Sequence, residues 1–259
     1  MCYGLIDNPP VAAAGEARHR REGAVALLSA ADLSTLHEIQ DSRDYVTDLK
    51  FSGDGALLAL ASQDTKVYVY NVRDSAGAAP LPGARAPVIA AIKLRSKCEM
   101  HNAPLSRVDF SADGEFLQSN DTALELMYYK TADGQQVMHP SEMKNHDWAS
   151  HTCPLTWAVT AAHLPAKSRI ETTCVCRSFA RDLVAVGDEA GQVRLHRYPA
   201  IHKGEVYHAG TGHCGAVRCV AFAADGGHVL SVGGDDRCVM QWKLVVPERG
   251  VPAAMAPIE

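Results

Sequence analysis

A pattern of short strands joined by acidic turns recurs four times along this chain, each copy keyed by a Phe, and it limits the possible folds more than any other feature. The sharpest copy runs through Gly212-His213, an alternating strand at 217–222, the turn Ala224-Asp225-Gly226, an apolar strand at 229–234, Asp235-Asp236 and a third strand at 239–242 that ends in Trp242. Aligning on the Phe gives strands at 46–51, 57–62 and 67–70 around Asp54-Gly55 and Asp64, and strands at 105–110, 116–120 and 126–129 around Asp113-Gly114 and Asp121. The last copy, keyed on Phe179, has strands at 174–179, 183–187 and 193–198 with Asp188 between them. Two-residue alternation between Gly and Asp turns predicts an all-β chain, and repetition of one strand-turn unit predicts the blades of a β-propeller.

Spacing refines this. Phe51 to Phe110 is 59 residues, Phe110 to Phe179 is 69, and Phe179 to Phe222 is 43. Only the last matches the roughly 40–45 residues of a WD40-type blade. The longer intervals hold an Ala, Gly and Pro-rich loop at 74–87, leading to an outer strand at 88–94, and a non-repetitive insert at 139–171 with two of the three Trp. Ahead of the first full copy, 24–28 and 36–39 have the size of strands c and d of another blade. Residues 1–22 read as a flexible arm, 23–246 as an incomplete WD40-type β-propeller of about four and a half blades, and 247–259 as a tail. The tail opens on Pro247-Glu248-Arg249-Gly250, too rich in breakers for an outer strand. An open ring leaves strand edges unpaired. The missing strand and blades are therefore expected from an absent part of a larger, tandem-propeller protein, or the chain is a truncated gene product that is aggregation-prone alone.

Composition narrows the function. With 259 residues, 47% hydrophobic and 21% charged, the chain has material for one large β domain or two small ones. A net charge of −5 gives no electrostatic ground for nucleic-acid binding, which calls for a concentrated basic surface. No run of 18 apolar residues predicts a membrane span. Eight cysteines without a secretory leader read as reduced thiols of a cytoplasmic protein.

His213, Asp236 and Trp242 are the candidates for a buried network tying adjacent strands, although the strand-b position taken as its third partner is Val232, which carries no hydroxyl. Asp54-Gly55, Asp113-Gly114 and Asp225-Gly226 suit hairpin turns and lack the alternating oxygen ligands of a calcium loop. Cys174-x-Cys176 and the group His146, His151 and Cys153 complete no zinc set, so neither metal nor cofactor is expected. No phosphate loop and no nucleophile-base pair at a defining spacing occurs, so the chain is expected not to be an enzyme. Partner contacts are expected from rim and insert. Lys93, Arg95, Lys97, Lys167 and Arg169 would face acidic groups with Trp157 as an apolar anchor, while Asp147 and Trp148 would pin the insert to the propeller.

Three further segments carry a family resemblance: Asp147-Trp148-Ala149-Ser150-His151-Thr152-Cys153 in the insert, Gln118-Ser119-Asn120-Asp121 leading into Glu125-Leu126-Met127-Tyr128-Tyr129, and Ser231-Val232-Gly233-Gly234-Asp235-Asp236 with Val239-Met240-Gln241-Trp242-Lys243-Leu244. Generic WD repeats share the turns but not the Asp-Trp-x-x-x-Thr-Cys insert. Over about residues 23–246 the chain resembles the C-terminal propeller of the echinoderm microtubule-associated protein-like family. That resemblance implies a cytoskeletal scaffold whose partners are tubulin, microtubules or microtubule-associated proteins, in some relatives those of ciliary axonemes. The family's N-terminal coiled coil and hydrophobic motif have no counterpart here. A general cytosolic WD40 adaptor for an unrelated protein stays open as the alternative.

Overall fold

A computed structural model describes residues 11–15, 23–29, 33, 35–72, 92–163, 170–202, 206–245 and 254–257. Among these, every regular element longer than a 3₁₀ turn is a strand, and the strands form five antiparallel meanders. The first sheet is β1 (Val11–Gly15), β2 (Val25–Ser29) and β3 (Thr35–Ile39); the second is β4 (Val46–Phe51), β5 (Leu57–Ser62), β6 (Val67–Asn71) and β7 (Lys93–Cys98). The third has β8 (Leu105–Phe110), β9 (Phe116–Asp121) and β10 (Leu126–Lys130). The fourth has β11 (Thr172–Arg177), β12 (Leu183–Asp188), β13 (Gln192–Arg197) and β14 (His208–Thr211). The fifth has β15 (Val217–Phe222), β16 (His228–Gly233), β17 (Val239–Val245) and β18 (Ala254–Pro257). Two compact units divide the chain, 1–149 with the first three sheets and 150–259 with the last two.

Local chemistry repeats as strictly as the strand order. The opening strand of each of the last four sheets carries a bulge at the same place, between Val46 and Asp48, Leu105 and Arg107, Thr172 and Cys174, and Val217 and Cys219. In three of them the bulged hydroxyl, on Thr47, Ser106 or Thr173, donates to a carbonyl of the neighbouring strand at 3.1 Å, which gives the extra residue a partner that the ladder cannot. In the second, third and fifth sheets the following turn is closed by its carboxylate: Asp54, Asp113 and Asp225 accept from the N–H of Ala56, Glu115 and Gly227 at 2.9–3.0 Å. Gly55, Gly114 and Gly226 supply the positive φ there.

Faces of neighbouring sheets build the cores. Leu58, Leu60 and Tyr70 pack with Val25, Leu27 and Ile39, while Ala59 and Ala61, on the other face of β5, meet Val108, Phe110 and Leu117. In the second unit Ala185 and Leu195 pack with Val220, Phe222 and Trp242. Fully burying each large side chain contributes about 1.5–3 kcal/mol before the entropy of ordering it.

Several sequence expectations need correction. The alignment of the copy keyed on Phe179 is two residues out: Arg177, not Phe179, ends the opening strand, because Ser178 N–H bonds Leu183 C=O as Ser52 bonds Leu57 and Ser111 bonds Phe116. Phe179 lies in the turn, 72% exposed. Residues 11–15, placed in a flexible arm, pair with β2 and extend the expected c and d strands to three; the rest of 1–22 lies outside the described residues. The outer strand expected at 88–94 is β7 at Lys93–Cys98, and the 74–87 loop is outside the described residues. The chain also supplies its own last outer strand, since β18 pairs with β17 from Trp242↔Pro257 to Val245↔Ala254. The breakers at 247–252 precede that strand rather than replace it.

Candidate functional site

β7 brings three expected contact residues onto one strand: Lys93, Arg95 and Lys97 are exposed, while Ser96 and Cys98 turn inward. They are not equally available. The Lys97 ammonium lies 5.2 Å from the centre of the Tyr68 ring, and Arg95 donates to the Asn71 side chain at 3.4 Å. Arg95 also lines a cavity of about 470 Å³ with Asp54, Asp113, Glu115 and Lys130, so three carboxylates share its surroundings. Lys167 and Arg169 lie outside the described residues.

The insert is held down in two places. Trp148 is buried, stacked on Tyr128 with ring centres 5.7 Å apart and packed with Val137 and Met143, and the preceding Asp147 C=O accepts from Ala112 N–H. Further along, a 3₁₀ turn at Trp157–Ala162 lays Val159 and Ala162 on Val175, Val184 and Val186. Backbone bonds exchanged between Ala200 and both Ala158 and Ala161, and a 2.7 Å bond from Arg194 to Ala162 C=O, complete that seat. Trp157 remains 44% exposed and belongs to the second unit, whereas the β7 cations belong to the first.

His213, Asp236 and Trp242 come together with a fourth residue that the sequence reading displaced by one. Ser231, not Val232, faces inward: its hydroxyl meets His213 Nε2 at 2.8 Å and accepts from Trp242 Nε1 at 2.8 Å, while His213 Nδ1 meets Asp236 at 2.7 Å. Because side chains alternate along a strand, the one-residue slip exchanged an inward hydroxyl for an outward methyl. The network is complete. Hydrogen bonds from Cys238 N–H and His213 hold the Asp236 carboxyl below the usual range.

The third sheet holds a second such network, which the sequence expectations did not include. His101, like His213 four residues before its opening strand, meets Asp121 at 2.9 Å and Ser119 at 2.7 Å. The carboxylates reach their histidines from different backbone positions. Asp121 closes β9, where β16 has Gly233; a Cβ there would lie 2.0 Å from Asp236 Oδ1, so glycine leaves the space that the Asp236 carboxylate fills. The second sheet uses hydroxyls instead, Ser42 to Ser62 at 2.6 Å, with Asp64 accepting from Tyr68 at 2.7 Å. The common offset of Ser42, His101 and His213 was the signal available in the sequence.

The fourth sheet departs most. His196 pairs with Val184 as Trp242 pairs with Val229, but Val186 stands where Ser231 does and gives the imidazole no acceptor. Both His196 nitrogens are buried without a hydrogen bond, and burial, with the Arg194 charge beside it, pushes the ring down to about 4. Arg194, itself fully buried, lies 3.4 Å from Asp188 and spans to the insert.

Two of these groups have the outline of a Ser-His-Asp triad, which tests the non-catalytic reading. Ser119 and Ser231 are 0% exposed, and Ser231 also accepts from the Trp242 indole, so neither hydroxyl has an approach for a substrate. His101, Asp121 and Glu125 bring possible metal ligands within 4.8 Å of one another, but both His101 nitrogens are committed to Asp121 and Ser119. The networks tie strands together.

The profile of the echinoderm microtubule-associated protein second β-propeller matches residues 8–244. Echinoderm microtubule-associated protein-like 1 of Mus musculus is 29% identical over 214 residues, which covers 83% of this chain and 24% of that protein. The 77 kDa echinoderm microtubule-associated protein of Strongylocentrotus purpuratus is 30% identical over 214 residues, 83% of this chain and 29% of its own length. This chain thus spans about a quarter of the curated relatives it matches. Among solved structures, the β-propeller domain of Myceliophteria_thermophila Cps50 (Swd1) superposes with a TM-score of 0.60 at 13% identity, over 99% of this chain and 70% of the other, and shares the propeller fold.

Proposed function

Because this chain belongs to the echinoderm microtubule-associated protein-like family, we propose that it is a non-catalytic scaffold held on microtubules, either on tubulin or on a microtubule-associated neighbour. The observation that carries this reading is the match of the family's second propeller across residues 8–244. The sealed Ser-His-Asp groups support a binding rather than a chemical role. Its setting would be the cytoplasmic cytoskeleton and, following the family resemblance, the axoneme of cilia. The propeller would be incomplete by itself, with further blades supplied by another part of a longer protein, a reading supported by the quarter-length match.

Docking would use rim and insert, with Lys93, Arg95, Lys97, Lys167 and Arg169 facing acidic groups and Trp157 as apolar anchor. Reversing the five charges should weaken co-sedimentation with microtubules and remove most of its salt sensitivity, with folding checked by circular dichroism. Binding that is indifferent to both salt and charge reversal would reject this surface. A folded protein that does not co-sediment at all would point instead to an adaptor for another cytosolic protein.

A further inference from the structure

Glycines set how the fourth and fifth sheets meet. A Cβ on Gly210 of β14 would run into the Trp242 ring, and a Cβ on Gly212 would stand 2.6 Å from Met240 Sδ. Side chains alternate along an extended chain, so each step of two residues forward from β14 matches a step of two back along β17. The next rung of both series sets Cys214 opposite Cys238. Gly233 N–H bonds Cys238 C=O, which carries the pairing of β16 with β17 as far as that residue. This face of β17 is the one turned to the fourth sheet, between the two sheets rather than at the outer face of the fifth.

One carboxylate holds the rung together. Asp236 accepts from both backbone amides, Cys214 N–H at 3.3 Å and Cys238 N–H at 3.0 Å, and so draws their Cα atoms towards the about 4.4–6.8 Å that a disulfide spans. Both cysteines are free and exposed. The Cys238 thiol donates to Asp236 C=O at 3.3 Å. Cys219, the third exposed thiol among the described residues, has Val232 as its register partner and no cysteine across from it.

We propose that Cys214 and Cys238 are an oxidation site, joined by a reversible disulfide when the protein meets a peroxide. The Cys214 thiolate attacks one peroxide oxygen and the O–O bond breaks. Sulfenic acid forms on Cys214, and the departing hydroxide takes up a proton as water. Cys238 then attacks the Cys214 sulfur: the S–S bond forms, the S–O bond breaks, and the Cys238 proton leaves with the hydroxyl as a second water. Two thiols give up two electrons and one peroxide accepts them. The new bond ties the 212–215 connection to the start of β17 beside the His213–Asp236 pair, and it restricts the unfolded chain.

Tryptic mapping of the whole chain tests the site, because Arg218 and Arg237 put the three exposed thiols on separate peptides, 204–218, 219–237 and 238–243. After treatment of the folded protein with hydrogen peroxide and then an alkylating agent, 204–218 should be recovered joined to 238–243 by a bond that dithiothreitol breaks. The urea midpoint should rise on oxidation and return on reduction. Cys219→Ser should leave the link intact. Cys238→Ser should abolish it and leave Cys214 as a sulfenic acid that dimedone traps. Oxidation in urea should scatter links among the three peptides. Folded protein in which 204–218 and 238–243 stay unjoined, or a link that forms equally well in urea, would overturn the inference.

Discussion

Ser231 is the residue on which the last sheet's interior depends most, because one hydroxyl serves both the His213 imidazole and the Trp242 indole. Ser231→Ala removes both bonds and leaves two buried polar groups without partners, which should cost about 2–4 kcal/mol in a urea titration followed by Trp fluorescence. His196 sets the acid limit of the second unit. Its ring sits near 4 when folded, below the ordinary histidine value, so between the two the unfolded chain binds the extra proton. The stability this residue confers is present above about pH 6.5 and is lost as pH falls towards 4, by at most about 3 kcal/mol before solvent screening reduces it. Thermal melts across that window should show the slope in the wild type and a shallower one in His196→Phe; equal slopes would remove His196 as the cause.

At the scale of elements, the turn between the first two strands of a blade is the repeating device. Ser52, Ser111 and Ser178 each place a hydroxyl on the turn carboxylate at 2.5–2.8 Å, and all three also accept from the N–H five residues on. Ala223 holds this position in the fifth sheet, its N–H already bonded to His228 C=O. Ala223→Ser should therefore stabilise the chain by about 0.5–1 kcal/mol, read as a higher urea midpoint at constant slope. These turns were legible in the sequence because Asp-Gly pairs carry their own geometry, and so were the strands whose alternation is strict. The fourth sheet was not, since Phe179 mimicked the keying Phe while the true end of the strand is Arg177. Ser231 was missed because a one-residue register error reverses a face, and β18 because pairing to the preceding strand β17, not local propensity, makes 254–257 extended. At the contact surface, strand alternation does not account for the exposure of Lys93, Arg95 and Lys97: the strand expected at 88–94 stops short of Arg95, Leu94 is exposed as well, and a bulge sets Arg95 outside the strand pairing. The carboxylates around Arg95 come from turns far away in sequence.

Each compact unit has its own apolar clusters, and the last four sheets are cut to one plan: a bulged first strand, a carboxylate turn, a buried polar tie and an aromatic or imidazole on the third strand. The ties are not identical copies. Residue counts between paired positions differ by one, five residues separating Asn120 from Leu126 and six separating Val232 from Val239. In the longer loop the carboxylate is Asp236 and the strand ends in Gly233; in the shorter loop Asp121 ends the strand itself. For the history of the gene this means that a single-codon insertion between these strands need not be lethal to a blade. An acidic residue downstream can take over the histidine provided the old position shrinks to glycine, so duplicated repeats can drift in length while inheriting the same anchor.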